Sequence, residues 1–123
     1  MCPDSRRLVY VVDDDEAVRE SLVARLEADG IAALCYESAK ALLTDADLSR
    51  AAIFIFDVHM PAMSGLDLLA ALRAQGRATP AIILTGRADP SLDAAAKRLG
   101  AVLLSKPAED ATLLRLVRAA TRP

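Results

Sequence analysis

The stretch of sequence that determines the fold is LVYVVDDDE, residues 8–16. Its first five residues are all apolar, which is typical of a strand that is buried on both faces. The acidic run Asp13 to Asp15 then marks the carboxyl end of this strand, and a helix begins at Glu16. The apolar positions of that helix recur every fourth residue, at Val18, Leu22 and Leu26. The stretch therefore predicts a buried strand, an acidic turn and an amphipathic helix.

This alternation of strand and helix is repeated along the chain. Further apolar runs predict strands over 31–36, 51–56, 81–84 and 101–104. Ser38 is expected to cap a short second helix. The positions expected to face inward in the last three helices are Leu68, Leu69 and Leu72, then Leu92, Ala95, Ala96 and Leu99, then Leu113, Leu116, Val117 and Ala120. The pattern predicts an α/β fold: a doubly wound, five-stranded parallel sheet of order 2-1-3-4-5, covered on both faces by five helices.

Length and composition narrow the class of protein further. The length predicts one domain over residues 1–123, with a core at about 8–120. Two Tyr, two Phe and no Trp lead us to expect an aliphatic core. The net charge of -2 provides no basic field for direct binding of a nucleic acid, and no apolar run is long enough to cross a membrane. Cys2 and Cys35 form no metal-binding pattern and are expected to stay reduced, in a cytoplasmic protein.

Polar side chains follow four of the predicted strands, at the point where each strand ends. Asp13 and Asp14 follow the first strand, Asp57 follows the third, Thr85 the fourth and Lys106 the fifth. The carboxyl ends of parallel strands meet at one edge of a sheet, and ligands bind there where the strand order reverses. The sequence therefore predicts a site at this edge, between the first and third strands.

Three carboxylates at one site predict a bound cation. Each pair would repel by about 4 kcal/mol at 4 Å, with an effective dielectric near 20, unless a cation lies among them. Oxygen ligands without His or Cys favour Mg²⁺, which keeps several waters and accepts a phosphate oxygen. Lys106 and Thr85 would then stabilise charge on phosphoryl oxygens, and Asp57 would act as the nucleophile. The residues thus indicate phosphoryl chemistry.

A set of motifs in this order and spacing resembles the response-regulator receiver domains of two-component systems, in particular the FixJ-like subgroup. The motifs are VYVVDDDEAVRESL at 9–22, Asp57 followed by His59, Met60, Pro61, Ser64 and Gly65, then Thr85-Gly86, and Lys106-Pro107. The resemblance covers about residues 8–120, nearly the whole chain. It implies the flavodoxin-like receiver fold, which agrees with the pattern of strands and helices.

The resemblance implies a function and a ligand set. Asp57 would accept a phosphoryl group from a sensor histidine kinase. Asp14 would bind Mg²⁺ directly and Asp13 partly through water, and Mn²⁺ could replace Mg²⁺. The backbone carbonyl of His59 would complete the protein ligands, so that its imidazole takes no part. The chain would catalyse phosphoryl transfer to and from its own aspartate only, and is therefore not expected to be an enzyme in the usual sense.

The resemblance also implies a signalling output. Thr85 and Lys106 would contact the phosphoryl oxygens, and their movement would shift a two-state equilibrium that repacks the last helices. The output would be a partner protein or an attached domain, and any DNA binding would belong to a region outside these residues. Two questions stay open: whether the chain is free-standing or part of a longer transcription regulator, and whether a homodimer forms on phosphorylation. The family further implies a cis peptide before Pro107.

Other residues at the predicted site have a second interpretation or depart from the family pattern. Asp15 is interpreted as the N-cap of the first helix rather than a ligand. For His59 and Arg87, a surface position and an effect on dephosphorylation are both open. Leu103 stands where an aromatic switch residue is usual, and Ala108 stands where Phe often follows Lys-Pro. The segment before Lys-Pro is also one residue short, so the output route is expected to be unusual.

Two other functions compete with the receiver hypothesis. Leu103 and the shortened segment before Lys-Pro favour an interaction module that keeps the fold but switches poorly. An aspartyl phosphohydrolase would share the fold type, but such enzymes need a second acid two residues after the nucleophile, where this chain has His59. The sequence contains no G-x-x-x-x-G-K-[ST] motif, which excludes a P-loop nucleotide binder, and contiguous acids at Asp13 to Asp15 exclude an EF-hand.

Overall fold

The computed structural model describes residues 7–45, 47–87, 89–106 and 111–121. These residues form a five-stranded parallel sheet with helices on both faces, which confirms the predicted α/β fold. In chain order the elements are β1 (Leu8–Val12), α1 (Glu16–Ala28), β2 (Ala33–Tyr36), α2 (Ala39–Asp45), a 3-10 turn (Leu48–Arg50), β3 (Ala51–Asp57), α3 (Gly65–Ala74), β4 (Ala81–Thr85), α4 (Pro90–Arg98), β5 (Ala101–Ser105) and α5 (Ala111–Thr121).

The strands are arranged in the order β2-β1-β3-β4-β5, as predicted. Every neighbouring pair is parallel, and β1 pairs with both β2 and β3, so the chain order reverses there. The register aligns the carboxyl ends of the strands with one another. The pairs at these ends are Val12 with Phe56, Asp57 with Leu84, and Thr85 with Ser105. Side chains that follow or end these strands are therefore brought to one edge.

The edge strands are less well covered than the centre of the sheet. All residues of β1 and β4 are buried, whereas β2 and β5 are partly exposed. Leu34 of β2 is 43% exposed and Val102 of β5 is 42% exposed. Helices cover both faces of the sheet as predicted, and the two edge strands are more exposed because each has a neighbouring strand on one side only.

Alternate residues of the central strands supply two separate cores, because successive side chains of a strand point to opposite faces. On the face covered by α1 and α5, the core is aliphatic and contains Val9, Val11, Leu22, Leu26, Ile53, Ile55, Ile82, Leu84, Leu113 and Val117. On the face covered by α2, α3 and α4, the core contains Tyr10, Phe54 and Phe56 beside Leu42, Leu68, Leu69 and Leu72.

The aromatic residues of the second face correct the expectation of an aliphatic core. Tyr10, Phe54 and Phe56 are 1%, 0% and 0% exposed. Tyr10 stacks on Tyr36 with ring centroids 6.2 Å apart, and Phe54 stacks on Phe56 at 5.1 Å. The Tyr10 hydroxyl donates a hydrogen bond to the Asp47 carbonyl, which satisfies its polar end. The expectation of an aliphatic core therefore holds for the face of α1 and α5, whereas the other face is partly aromatic, because the alternation of the strands collects all four aromatics there.

Most helix predictions are confirmed, with a departure in α4. Ser38 caps α2 as predicted, since its Oγ accepts a hydrogen bond from the Ala41 N–H at 3.1 Å. In α4, however, Ala96 is fully buried while Leu92 and Leu99 are only half-buried. This helix lies against β5 at the edge of the sheet, where less of its surface is covered.

Arg73 is a structural residue that the sequence did not reveal. Its Nε donates to the Leu99 carbonyl at 2.8 Å, and one terminal nitrogen donates to the carbonyls of Arg77 and Thr79 at 3.0 and 2.6 Å. The guanidinium thus joins the end of α3, the segment before β4 and the end of α4. A positive charge is favourable at helix C-termini, where the carbonyls lack partners within the helix.

We expect Arg73→Ala to lower the free energy of unfolding by about 2 kcal/mol, because hydrogen bonds from a charged donor to three carbonyls are lost. Urea unfolding at neutral pH measures this change. Arg98→Ala is the matched control, since Arg98 is an exposed arginine in the last turn of α4, and it should change stability by less than about 0.5 kcal/mol. Equal stabilities of the two variants would contradict the role given to Arg73.

Candidate functional site

The predicted site residues lie at the carboxyl edge of the sheet. Asp57 and Thr85 are the last residues of β3 and β4, and Asp13 and Lys106 directly follow β1 and β5. Asp13 is 1%, Asp57 5% and Thr85 0% exposed, whereas Asp14 is exposed. Asp57 and Thr85 are paired within the sheet, and the N–H groups of Asp13 and Lys106 donate to the Tyr36 and Thr85 carbonyls at 3.2 and 2.7 Å. The side chains of these four residues are therefore carried on a rigid frame.

Three carboxylates converge at this edge. Asp13, Asp14 and Asp57 each offer a carboxylate oxygen, and these oxygens all lie within 4.8 Å of one another. We call these three residues the acidic pocket. Lys106 lies against it, with its Nζ 3.1 Å from Asp57 Oδ1 and 3.3 Å from Asp13 Oδ2. The structure thus brings together the predicted metal ligands and the predicted lysine, while one ammonium group leaves most of the negative charge of the acidic pocket uncompensated.

The electrostatics of the acidic pocket follow from burial and mutual repulsion. Burial and the neighbouring charge of Asp13 raise the pKa of Asp57 above its usual value, although Lys106 opposes the change. Burial tends to lower the pKa of Lys106, but its hydrogen bond to Asp57 and the charge of Asp13 outweigh this and raise it. Lys106 is therefore charged at neutral pH, and an additional cation would relieve the repulsion that remains.

The turn after β1 holds Asp13 in a fixed orientation. The Asp15 N–H donates to Asp13 Oδ1 at 2.9 Å, and Asp15 itself caps α1 by accepting hydrogen bonds from Ala17 and Val18. The interpretation of Asp15 as a helix cap is therefore confirmed. Arg19 donates to the Asp13 carbonyl at 2.7 Å. Nothing in the sequence pattern indicates this contact, since Arg19 lies outside the apolar positions Val18, Leu22 and Leu26 of α1.

Thr85 lies at the predicted edge, but its hydroxyl has its own local partners. Thr85 Oγ1 donates to the Arg87 carbonyl at 3.0 Å and accepts a hydrogen bond from the Arg87 N–H at 3.1 Å. The side chain is fully buried. To reach a group bound at Asp57, the hydroxyl would have to leave the Arg87 carbonyl, which couples the site to the loop between β4 and α4.

The loop that follows Asp57 at the end of β3 makes a sharp turn at Ala62. His59 is exposed in this loop. The Met63 N–H donates to the Pro61 carbonyl at 2.8 Å across Ala62, whose φ of 70° is costly for a residue other than glycine. Ser64 then caps α3 by accepting a hydrogen bond from the Asp67 N–H at 3.1 Å. The strained turn brings the start of α3 directly beneath the acidic pocket.

Gly65 is required at this start because the backbone of Asp57 lies against it. A Cβ atom at position 65 would lie 2.2 Å from the carbonyl oxygen of Asp57 and 3.0 Å from Cβ of Phe56. Real Cβ atoms do not approach a backbone oxygen so closely, so any side chain here would displace Asp57 or α3. The sequence marked Gly65 as part of a motif, but its steric reason appears only in the folded chain.

The donor set of the acidic pocket fits a hard divalent cation. Carboxylate oxygens are the ligands that Mg²⁺ prefers, and Mg²⁺ uses one or two of them with several waters. The exposed Asp14 leaves the acidic pocket open to solvent on one side. The three carboxylates and the open side are therefore compatible with Mg²⁺ and with Mn²⁺.

Two departures from the family pattern have different outcomes. Leu103 is half-buried and packs against the core on the α2, α3 and α4 face. Pro107 and Ala108, with the cis peptide expected before Pro107, lie outside the described residues, as does Cys2.

Cys35 is exposed on β2 with a free thiol. Within the described residues, no helix is both long and apolar enough to span a membrane.

The fold and the site together are those of a class of phosphoacceptor signalling domains: a doubly wound sheet with an acidic pocket and a lysine at its carboxyl edge. Comparison with known proteins identifies the family within this class. The pattern of the response regulator receiver domain matches residues 9–118. The chain is 45% identical over 113 residues to the transcriptional regulatory protein FixJ of Azorhizobium caulinodans, covering 90% of the chain and 53% of FixJ. It is 36% identical over 120 residues to the response regulator protein TodT of Pseudomonas putida, covering 97% of the chain and 53% of TodT.

Solved structures agree with this assignment. The crystal structure of FixJ-N has a TM-score of 0.83 and 34% identity, over 94% of this chain and 93% of that one. The structure of the response regulator StyR has a TM-score of 0.85 and 30% identity, over 94% of this chain and 59% of that one. The chain spans about half the length of the curated relatives it matches. It belongs to the response regulator receiver domain family and is a FixJ-like receiver domain of two-component signalling.

We expect Gly65→Ala to lower the free energy of unfolding by about 1–3 kcal/mol, because the new Cβ collides with the Asp57 carbonyl. Urea unfolding measures the loss. Gly86→Ala is the control at the same edge, since no heavy atom lies within 4 Å of the position its Cβ would take. The proposed steric role is wrong if Gly65→Ala is as stable as Gly86→Ala.

We expect Mg²⁺ at millimolar concentration to raise the midpoint of thermal unfolding, because a ligand that binds the folded state stabilises it. Asp57→Asn should raise the midpoint without metal, since one of three repelling charges is removed, and should reduce the shift caused by Mg²⁺. Glu20→Gln, an exposed acid on α1, is the control and should keep the full shift. An equal Mg²⁺ shift in Asp57→Asn and the wild type would contradict a metal site in the acidic pocket.

Proposed function

We propose that Asp57 is the phosphoacceptor of this receiver domain, and that a sensor histidine kinase supplies the phosphoryl group. The observation that carries the proposal is the contact of Lys106 with both Asp57 and Asp13, inside a cluster of three carboxylate oxygens within 4.8 Å. We further propose that residues 8–120 form one domain, located in the cytoplasm with its kinase. The relatives that extend beyond the matched region support an attached output domain or a partner protein.

Mg²⁺ would be held by the carboxylates of Asp13, Asp14 and Asp57 and by the backbone carbonyl of His59, with Mn²⁺ as a substitute. When bound, Mg²⁺ supplies positive charge that offsets the negative charge of the carboxylates and of an incoming phosphoryl group. The observed clustering of the three acids supports this ligand set. For His59, support comes from its position two residues after Asp57, in the loop that leaves β3.

In the transfer step, a carboxylate oxygen of Asp57 forms a bond to phosphorus while the bond from phosphorus to the kinase histidine breaks. The electron pair of the broken bond remains on the departing imidazole. Lys106 favours the carboxylate form of Asp57 before transfer and opposes the effect of burial, because its Nζ lies 3.1 Å from Asp57 Oδ1. After transfer the same ammonium group is within reach of the new phosphoryl oxygens and stabilises their charge. Attack of water on the phosphorus of this acyl phosphate would release inorganic phosphate and return the carboxylate, so the proposed chemistry concerns the chain's own aspartate only.

Thr85 would convert phosphorylation into a change of conformation. Its hydroxyl donates to the Arg87 carbonyl at 3.0 Å. A phosphoryl oxygen on Asp57 is a stronger, charged acceptor, so the hydroxyl would exchange one partner for the other. The loop between β4 and α4 would thereby lose a contact, and α4, in which only Ala96 is fully buried among its described residues, would be free to shift.

Incubation with acetyl phosphate tests the phosphoacceptor directly. We expect the wild type to gain one phosphoryl group in the presence of Mg²⁺ and none when EDTA removes the metal, as measured by intact-protein mass spectrometry. Asp57→Asn should gain none, whereas Asp67→Asn, an exposed acid on α3, should behave as the wild type. Phosphorylation of Asp57→Asn, or of the wild type without metal, would refute the proposal.

The second candidate is an interaction module with impaired switching. Leu103 favours it, because the half-buried leucine fills the position of the usual aromatic switch residue and leaves no aromatic ring there to rotate. The two candidates differ in one observable, the affinity for the output partner with and without beryllofluoride as a phosphoryl mimic. A change in affinity supports the switch through Thr85, and equal affinities support the interaction module.

A further inference from the structure

Arg19, in the first turns of α1, reaches back to the backbone of the acidic pocket. One terminal nitrogen of its guanidinium donates to the Asp13 carbonyl oxygen at 2.7 Å. The Arg19 N–H meanwhile donates to the Asp15 carbonyl at 3.0 Å, within the first turn of the helix. Side chains of a helix tilt toward its N-terminus, which is why a residue six positions along the chain contacts Asp13.

The carbonyl that Arg19 contacts belongs to the peptide that joins Asp13 to Asp14. Because a peptide group is planar, fixing its oxygen also fixes the direction in which the chain continues to Asp14. The other side of Asp13 is already held, since its N–H donates to the Tyr36 carbonyl at 3.2 Å and its Oδ1 accepts from the Asp15 N–H at 2.9 Å. Arg19 thus fixes the orientation of the link between two neighbouring carboxylates of the acidic pocket.

The acceptor of this hydrogen bond is neutral, although carboxylates lie close by. Lys106 binds carboxylate oxygens of Asp13 and Asp57 directly and therefore occupies atoms that a metal would use. Arg19 binds a backbone oxygen instead. It places positive charge beside the acidic pocket while leaving the carboxylate oxygens available to a cation. This arrangement suits a residue that shapes a metal site without competing for its ligands.

We propose that Arg19 is a positioning residue for the divalent cation: it orients the Asp13–Asp14 peptide so that both carboxylates face one ion. The inference rests on the proposed function, because it concerns the same Mg²⁺ site. Groups that orient metal ligands from behind commonly contribute tenfold or more to metal affinity. Here Arg19 orients two ligands, the carboxylates of Asp13 and Asp14, through its hydrogen bond to the Asp13 carbonyl.

The test is the affinity for Mg²⁺ of the whole chain, measured by calorimetric titration at a temperature where each variant is folded. Arg19→Ala should bind Mg²⁺ about tenfold more weakly than the wild type. Arg25→Ala removes the same charge from an exposed position of α1, six residues further along, and should bind as the wild type. Arg19→Lys keeps the charge but loses the planar guanidinium, and should be intermediate.

The sign of the change separates positioning from simple electrostatics. Removing a positive charge near a cation site would tighten Mg²⁺ binding if charge alone mattered, so unchanged or tighter binding in Arg19→Ala overturns the inference. If Arg19→Ala does not fold, Arg19→Lys decides: weaker binding supports the positioning role, and wild-type binding overturns it. A wild type that binds no Mg²⁺ would instead refute the proposed function, which distinguishes the two failures.

Discussion

The mutual repulsion of three carboxylates at one edge of a parallel sheet is the constraint on which the rest of the structure depends. Asp13 and Asp57 are almost completely buried, and neither can move away, because each belongs to or directly follows a strand with hydrogen-bonded neighbours on both sides. Lys106 compensates part of the charge. The fold therefore maintains an acidic pocket that a divalent cation stabilises. The packing of the strands beneath it offsets the unfavourable energy of the carboxylate repulsion.

The two faces of the sheet support the acidic pocket in different ways. Beneath α2, α3 and α4, stacked aromatic rings form part of the core beside leucines, and Gly65 lets α3 start directly against Asp57. On the other face, α1 and α5 cover an aliphatic core. A bidentate ion pair between Arg118 of α5 and Asp29 at the end of α1, at 2.5 and 2.7 Å, joins the two helices. The least covered helix is α4, beside the loop that contacts Thr85. A response to phosphorylation at Asp57 is least opposed by packing on that side.

The sequence predicted those features that follow from local pattern and parallel topology. The alternation of apolar strands with helices predicted the doubly wound parallel sheet and its order. The polar residues after the strands predicted that Asp13, Asp14, Asp57 and Lys106 share one edge. Contacts that depend on side-chain direction over longer distances were not predictable. Arg19 and Arg73 lie outside the predicted apolar positions of their helices, yet each binds backbone carbonyls that only the folded chain brings within reach. The aromatic core was missed because a count of residues does not show which face they share.

A crystal structure of the chain with Mg²⁺ and beryllofluoride tests most directly whether the metal and the phosphoryl group meet at Asp57. We predict the ion among the carboxylates of Asp13, Asp14 and Asp57, and the beryllofluoride on a carboxylate oxygen of Asp57. Lys106 Nζ and Thr85 Oγ1 should contact its fluorines, with the hydrogen bond from Thr85 to the Arg87 carbonyl broken. Beryllofluoride bound elsewhere, or Lys106 still bridging Asp13 and Asp57 beside an unmodified Asp57, would contradict a phosphoacceptor site at this edge.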